Sequence, residues 1–486
     1  WDRLRAGKGE FAAAQEFLVR RPDWPGLPYL RKRSEVTIKP DALAGDVIAF
    51  FDGQAPRTAQ GSLRLAQALA KEGQTTAAIS AARWGWVSFN MDADLEQEFR
   101  EAFGADLATM HEARLDMLLW QGAISSAKRM LSSVSSDQVK LAKARLALQE
   151  NKNGVTAFLA KVPDSLKTDP GLAFDRFKWR LVRKKADGAI KLLLEKSATA
   201  IDLGRPDKWA EWRLSLARDL LWDGKYQKAY DVAASHHLDA SEDYAELEWL
   251  AGFIALRKLK NPKKALVHFK NHEAAVGSEI SLGRTHYWQG RTLHAMAQSE
   301  QAQRAYTKGA KYQTSFYGLL AADAAGLPMQ GSLAGTVVDP SWRQAAFVES
   351  SVFKAALLLI SIDRSRFGVR FLTHLAESQS PTGMAQLGGM AEELGIPYLE
   401  LMLGKRASRY GTMIERHFYP LLPMLVQTDE VAPELALAIA RRESEFFIGA
   451  VSGVGALGLM QVMPRTAREM AGKLGLRYSR SKMLKD

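Results

Sequence analysis

Cysteine is absent from this sequence of 486 residues. Disulfides, thiolate metal sites and cysteine nucleophiles are therefore excluded. The absence suits an oxidising compartment, where a stray thiol is a liability, although many cytosolic sequences would fit the same description. The sequence begins at Trp1 without a basic and then apolar leader, so we expect that any secretion signal has been removed.

A long hydrophobic segment is also missing. The longest uncharged run extends from Phe446 to Pro464 and includes four glycines. A glycine-rich turn of this kind would leave backbone groups unpaired in lipid, so the sequence predicts no transmembrane helix.

Acidic residues are outnumbered, and the formal net charge is +12. Such a surface should attract polyanions, including acidic polymers, anionic walls and membrane surfaces. The basic residues are spread along the chain and form no nucleic-acid-binding motif, so nucleic acid is not predicted as a partner.

Alternating strand patterns are missing up to about residue 325, where apolar residues instead recur at spacings of three and four. This spacing predicts helices. A turn residue is repeatedly followed five positions later by an alanine that we expect to pack a new helix closely against the previous one. The pairs are Gly73 with Ala78, Gly122 with Ala127, Gly224 with Ala229, Lys152 with Ala157 and Lys184 with Ala189.

These repeats, with a drifting period and a degenerate tetratricopeptide-like character, predict an α-solenoid of helix hairpins. The aromatic residues within the repeats are interpreted as packing residues rather than as sugar-stacking platforms. His268 and His272 have the spacing of two metal ligands on a helix, but no third ligand is near in the sequence, so packing or surface roles are favoured.

Two breaks divide the chain. The first begins at the Gly326-Leu327-Pro328 turn, and the second falls near Pro420 to Pro423. The sequence therefore predicts three regions, with a superhelical domain over residues 1–325, a helical linker domain over 326–422 and a C-terminal domain over 423–486.

One acidic residue ends the helix that we predict from Pro433. Leu435, Ala436, Ile439 and Arg442 fall on or near one stripe, and Glu443 lies beside it, four residues beyond Ile439. If this stripe faces the core, the carboxyl group is partly desolvated and suited to donate a proton. An isolated glutamate at a helix end is more often a solvated partner of nearby arginines, here Arg441, Arg442 or Arg465.

The turn after this helix favours a catalytic Glu443 over a glutamate that is merely paired with arginine. Gly453, Gly455 and Gly458 are expected to allow positive φ or close backbone approach. Ser452 and Gln461 then become fixed hydrogen-bonding groups beside Glu443. Met463, just before the next predicted helix at Pro464, adds an apolar contact.

The string R-E-S-x-F followed by S-x-x-G-A-x-G-L-M-Q-x-M-P-x-T-A resembles the soluble lytic transglycosylase family. The resemblance is strong over residues 430–476 and weak over the rest of the chain. It implies an all-α fold, with a ring-type superhelical domain, a linker domain and a lysozyme-like catalytic domain.

By this resemblance Glu443 is the single catalytic acid, while Ser452, Gln461 and Met463 contact the substrate. The family cleaves the β-1,4 bond between N-acetylmuramic acid and N-acetylglucosamine in peptidoglycan and leaves a 1,6-anhydromuramoyl end. Glu445, two residues further on, points to another side of the helix, which agrees with a one-carboxylate mechanism.

The resemblance further implies a periplasmic, monomeric enzyme of a Gram-negative bacterium without metal or organic cofactor. Glycan strands are the expected partners, together with proteins of cell-wall synthesis or remodelling. The family continues beyond the point where this sequence stops at Asp486, so we expect only the first part of the catalytic domain here. A lysozyme-type hydrolase and a non-catalytic protein-binding scaffold remain as alternatives.

Overall fold

Helices form almost all of the regular structure. The computed structural model describes residues 1–336, 339–422 and 431–485. Within these ranges the extended pairing is limited to two isolated bridges, Val451 with Leu457 and Leu457 with Val462. The all-α prediction is therefore confirmed. Across the same ranges, no helix combines the length and apolar character that a bilayer-spanning segment requires.

The chain divides into two compact units. Unit 1 comprises Trp1–Pro22, Gly26–Gly277 and Thr285–Tyr306, and unit 2 comprises Asp23–Pro25, Ser278–Arg284 and Thr307–Asp486. The predicted division into three domains stays a prediction, and its boundary at 422/423 adjoins residues 423–430, which lie outside the described ranges.

Unit 1 contains eighteen complete α-helices in the described residues. They are α1 Asp2–Arg5, α2 Phe11–Arg20, α3 Leu27–Glu35, α4 Ala44–Phe51, α5 Ala59–Lys71, α6 Thr75–Ser88, α7 Ala93–Leu107, α8 His111–Gln121, α9 Ile124–Met130, α10 Ser136–Gln149, α11 Val155–Ala160, α12 Pro170–Val182, α13 Ala186–Lys196, α14 Ala200–Leu203, α15 Pro206–Trp222, α16 Tyr226–Ala234, α17 Glu242–Arg257 and α18 Pro262–Ala275. The unit boundaries fall within α19 Glu279–Ala295 and α20 Ser299–Gly309.

Successive helices of unit 1 pair as hairpins, and the first helices of successive hairpins contact one another, as α8, α10 and α12 do. This arrangement is typical of a solenoid, in which each repeat buries its apolar face against its neighbours. Fully buried tryptophans, including Trp86 and Trp209, fill the interior. The prediction that aromatic residues mainly pack the repeats is confirmed for these two.

The predicted spacing of turn residue and alanine is confirmed in four of its five copies. The turn residues Gly73, Gly122, Lys184 and Gly224 all have positive φ, and each alanine five positions later is buried. The fifth pair, Lys152 with Ala157, was wrong. There the left-handed residue is Asn151, and Ala157 is exposed while Val155 is buried.

His268 and His272 join separate hydrogen-bond networks, as packing residues do. His268 Nδ1 bonds Glu248 at 2.7 Å and its Nε2 bonds Tyr230 at 2.9 Å. His272 Nδ1 instead bonds Thr285 Oγ1 at 2.5 Å. Both rings are buried and hydrogen-bond to side chains of the protein, which agrees with the favoured packing roles.

Unit 2 contains eight complete α-helices in the described residues. They are α21 Phe316–Ala325, α22 Ser351–Ser361, α23 Ser365–Ala376, α24 Pro381–Glu393, α25 Pro397–Arg409, α26 Glu415–Phe418, α27 Pro433–Glu443 and α28 Pro464–Lys473. An early part of the chain also belongs to this unit. The indole of Trp24 packs edge-on against Phe371, and its Nε1 donates to Ser351 Oγ at 2.9 Å.

Candidate active site

Helix α27 carries the predicted acid at its last residue. It runs from Pro433 to Glu443 as predicted, with proline in its first turn, where a missing N–H costs no hydrogen bond. Its core-facing residues are Ala436 and Ala440, which are 8% and 0% exposed.

The expected desolvation of Glu443 was wrong. Leu435 and Ile439 are 54% and 41% exposed, so their stripe faces away from the core, and Glu443 is exposed with them. The neighbouring stripe is the one that packs, because it carries the small alanines. Glu443 therefore presents its carboxyl group to solvent.

The common alternative, a glutamate paired with arginine, is also not observed. Among the described residues, the side chain of Glu443 makes no hydrogen bond and no ion pair. Arg441 instead donates to the carbonyl of Phe418 at 3.1 and 3.2 Å and stacks over the Phe418 and Tyr419 rings. The carboxylate at 443 is thus available to a ligand.

The backbone reverses immediately after Glu443. Glu445 and Phe446 both have positive φ, 55° and 65°, an uncommon conformation for residues other than glycine. The reversal places Phe446 in a buried cluster with Leu401 and Ala440. Glu445 pairs with Lys405, so the second carboxylate in the motif is already neutralised.

The following turn packs on the end of α27. Leu459 and Met460 lie against the cluster that contains Ala440 and Phe446, as predicted. Gly455 and Gly458 have φ of 88° and 72°, and a Cβ on Gly458 would lie 2.4 Å from the carbonyl oxygen of Met483. The expectation for Gly453 was wrong, because it has neither positive φ nor any atom within 4 Å of an added Cβ.

Ser452 and Gln461 brace this turn. Ser452 Oγ accepts from the amide of Ala456 at 2.9 Å. Gln461 has φ of 46°, and its Nε2 donates to the carbonyls of Ala450 and Gly458 at 3.2 and 2.9 Å. The Ser452 hydroxyl hydrogen and Gln461 Oε1 have no hydrogen-bond partner among the described residues. Sequence reasoning missed the bracing role, since it depends on the path of the backbone.

Met463 is 43% exposed and precedes α28, which begins at Pro464 as predicted. The structure thus places Glu443, Ser452, Gln461 and Met463 at the end of α27 and along the turn that packs on it. A cavity of about 490 Å³ follows the opposite flank of the helix and is lined by Arg441 and Glu445, but not by Glu443.

A further group in unit 2 has the composition of a metal site. Ligand atoms of Asp339, Glu392 and His417 lie within 4.8 Å of one another. Both nitrogens of His417 are engaged, by Glu400 at 2.9 Å and Asp339 at 2.8 Å, and Glu392 forms a two-pronged pair with Arg416. These donors and acceptors satisfy one another, so the group is an ion-pair network.

The C-terminal part of the chain is similar to a known protein family. Residues 423–485 match the family profile described as Transglycosylase SLT domain. This part of the chain, which contains Glu443 and the braced turn, is therefore similar to the transglycosylase SLT domain. A search of curated proteins gave no significant match.

Solved structures extend the likeness to the rest of the chain. The 70 kDa soluble lytic transglycosylase Slt70 of Escherichia coli has a TM-score of 0.64 and 19% identity, covering 99% of this chain and 76% of that one. The lytic transglycosylase Slt of Pseudomonas aeruginosa, an inactive mutant, has a TM-score of 0.69 and 19% identity, covering 99% and 77%. A complex of the 70-kDa enzyme with bulgecin A matches at a TM-score of 0.63, with 19% identity and coverage of 99% and 76%. The chain thus has the superhelical all-α fold of the soluble lytic transglycosylases.

Proposed function

We propose that this protein is a peptidoglycan lytic transglycosylase, with Glu443 as its single general acid and base. The observation that carries the proposal is the position of Glu443 within the matched family segment, at the end of α27, exposed and unpaired among the described residues. Glu445 is held by Lys405 and so does not supply a second free carboxylate.

In the first step the protonated carboxyl group of Glu443 donates its proton to the oxygen of the β-1,4 bond between N-acetylmuramic acid and N-acetylglucosamine. The bond from this oxygen to C1 of the muramic residue breaks, and the glucosamine leaves with a hydroxyl group. The acetamido oxygen of the muramic residue supports the developing positive charge at C1. A glycan seated over the exposed carboxyl would exclude water from the reacting groups.

In the second step the C6 hydroxyl of the same muramic residue attacks C1. The carboxylate of Glu443 takes the proton from this hydroxyl, which returns the enzyme to its starting state. The product is a 1,6-anhydromuramoyl end, and no water is consumed. Most retaining and inverting hydrolases instead use a second carboxylate about 5–9.5 Å from the first.

We assign substrate contacts to the groups that the turn leaves free. The Ser452 hydroxyl and Gln461 Oε1 would bind polar groups of the glycan, while the exposed Met463 would cover an apolar sugar face. Bracing of both polar side chains by the turn would hold these groups in place before substrate binds. The net charge of +12 would favour the carboxylates of peptide stems. The periplasm is the compartment in which this substrate occurs.

The test is mass spectrometry of the products from purified peptidoglycan. We expect anhydro ends, one water lighter than reducing ends, and a loss of about 10²- to 10⁴-fold in rate for Glu443→Gln. Glu469→Gln is the matched control, since Glu469 is an exposed glutamate that pairs with Lys473 on α28. Reducing ends would identify a hydrolase instead. Unchanged cleavage by Glu443→Gln would refute the role of Glu443. No cleavage by the parent chain would refute the proposed activity and favour the scaffold alternative.

A further inference from the structure

A second cavity lies in unit 1, where the ends of several helices meet. It measures about 550 Å³, and its walls come from the C-terminal ends of α8 and α10, from α12 and from the beginning of α15. Small-ligand pockets typically measure about 300–1,000 Å³. The cavity therefore has room for a short oligomeric ligand.

Aromatic side chains form much of its wall. Trp120, Phe174, Trp179 and Trp212 all line it, and the rings of Trp120 and Phe174 are 5.3 Å apart. The three tryptophans are only half-buried, in contrast to the fully buried packing tryptophan Trp209. Part of each indole is therefore exposed among the lining residues, and partly exposed aromatic surface of this kind is what a pyranose ring packs against.

Two polar atoms among the lining residues lack a partner. Gln149 Oε1 and Trp179 Nε1 are buried and form no hydrogen bond with any described residue. The amide of Gln149 is nevertheless fixed, because its Nε2 donates to the Leu119 carbonyl at 2.9 Å and to Asp175 at 3.0 Å. A buried polar atom without a partner costs about 1–3 kcal/mol. Both atoms have almost no solvent-accessible area, so a ligand reaches them only when the two side chains turn slightly toward the cavity. A ligand that carries both donors and acceptors would then satisfy the oxygen of Gln149 and the N–H of Trp179.

The charged residues that line the cavity indicate which class of ligand it would bind. Lys178 and Lys208 are balanced by Asp175 and Glu211 in the lining. Asp175 also pairs with the buried Arg145, at 2.8 Å, but Arg145 has further carboxylate partners in Asp116 and Asp169 and so adds no net positive charge. A balanced lining favours a ligand that is rich in hydroxyl and amide groups over a polyanion.

We propose that this cavity binds a short segment of glycan built from N-acetylated amino sugars, apart from the site around Glu443. The aromatic faces would stack on the sugar rings, and the unpaired groups of Gln149 and Trp179 would bind acetamido or hydroxyl groups. The choice of amino sugars rests on the proposed function. The superhelical unit would then bind the substrate polymer at a site of its own.

The test uses the full chain with Glu443→Gln and with fluorotryptophan in place of tryptophan. Each tryptophan then gives its own fluorine NMR signal, assigned by single Trp→Phe variants. No tryptophan lies between residues 423 and 486, so these signals do not report directly on the Glu443 site. A peptide-free oligosaccharide of alternating N-acetylglucosamine and N-acetylmuramic acid, with its lactyl carboxylates blocked as amides, should shift the signals of Trp120, Trp179 and Trp212.

Trp222 is the matched control, because it lies on α15 with Trp212 but is 92% exposed and does not line the cavity. Its signal should not move. Val182→Arg should abolish the shifts of the three cavity tryptophans, because Val182 lines the cavity and a larger charged side chain would fill it. Val182 is 62% exposed, so the variant should fold, and circular dichroism checks this.

Unmoved cavity signals, shifts that persist in Val182→Arg, or shifts produced by a free stem peptide but not by the glycan would overturn this inference. Cleavage of peptidoglycan by the parent chain without these shifts would overturn only the inference. Shifts without any cleavage would support the inference and contradict the proposed function.

Discussion

His417 Nδ1 lies 2.9 Å from a carboxylate oxygen of Glu400, and both side chains are buried in unit 2. Burial acts to lower the pKa of His417, but the hydrogen bond to Glu400 and the charge of Asp339 outweigh it, and the pKa is raised. Two glycines permit this contact, since a Cβ on Gly388 would meet the ring and one on Gly404 would meet the His417 carbonyl.

The raised pKa of His417 predicts a pH-dependent stability. The protonated ring stabilises the folded state below its unfolded pKa of about 6.5, and this contribution is lost as the pH rises through the higher folded pKa. Thermal unfolding of the wild type should therefore shift to lower temperature over this interval. His417→Gln should remove that part of the slope, whereas His294→Gln, at an exposed histidine, should keep it. Equal slopes in both variants would contradict the assignment.

The lowered pKa of Glu248 predicts the opposite pH dependence of stability in unit 1. Burial raises its pKa, but hydrogen bonds from His236 and His268 outweigh burial and lower the pKa to about 2. Its contribution to stability is present above the unfolded value of 4.5 and is lost as the pH falls toward about 2. Acid titration followed by circular dichroism should show a shallower loss for Glu248→Gln. The exposed Glu242 of the same helix provides the control, and Glu242→Gln should titrate like the wild type.

Alanine substitutions at Gly458 and Gly453, in the turn after α27, should have contrasting effects on stability. Gly458→Ala combines positive φ with a clash against the Met483 carbonyl and should cost about 2 kcal/mol or more. Gly453→Ala meets open space and should lie within about 0.5 kcal/mol of the wild type. Urea unfolding monitored by hydrogen exchange of α27 and α28 measures both. A tolerant Gly458→Ala would mean that the segment around Met483 moves freely away from the turn.

Leucine substitutions at two alanines of the hairpins in unit 1 should likewise differ in their effect on stability. Ala229→Leu adds volume at a fully buried helix contact and should lower the free energy of unfolding by about 1–3 kcal/mol. Ala157→Leu, at the exposed position that sequence spacing wrongly assigned to a helix contact, should change it by about 0.5 kcal/mol or less. Urea titrations of the two variants compare them directly, and similar losses would contradict the packing role of the motif.

The hairpin motif was readable wherever glycine marked the turn. Left-handed turn residues also occur at Lys260, Ala297 and Asp363, and the residue five positions later, Ala265, Ala302 or Gly368, is again small and buried. Sequence reasoning missed the turns because these residues have no intrinsic preference for positive φ. Tertiary packing holds them there.

The limits of α27 were predictable from Pro433 and from the acid that ends the periodic stretch, but its orientation was not. Two adjacent stripes, one with Ile439 and one with Ala440, are both apolar, and periodicity alone does not say which one packs. The reversal through Glu445 and Phe446 was equally hidden. It depends on the burial of Phe446 beside Leu401, a contact between residues far apart in the sequence.

The place of Trp24 in unit 2 has a consequence for the order in which the chain can fold during synthesis. Its partner Ser351 lies 327 positions later, so this contact forms only after most of the chain has left the ribosome. A fragment that starts at Thr307 would also lack the indole that packs on Phe371. Unit 2 is therefore not separable by one cut, and dissection of the protein into expressible pieces must keep residues 23–25 with the C-terminal part.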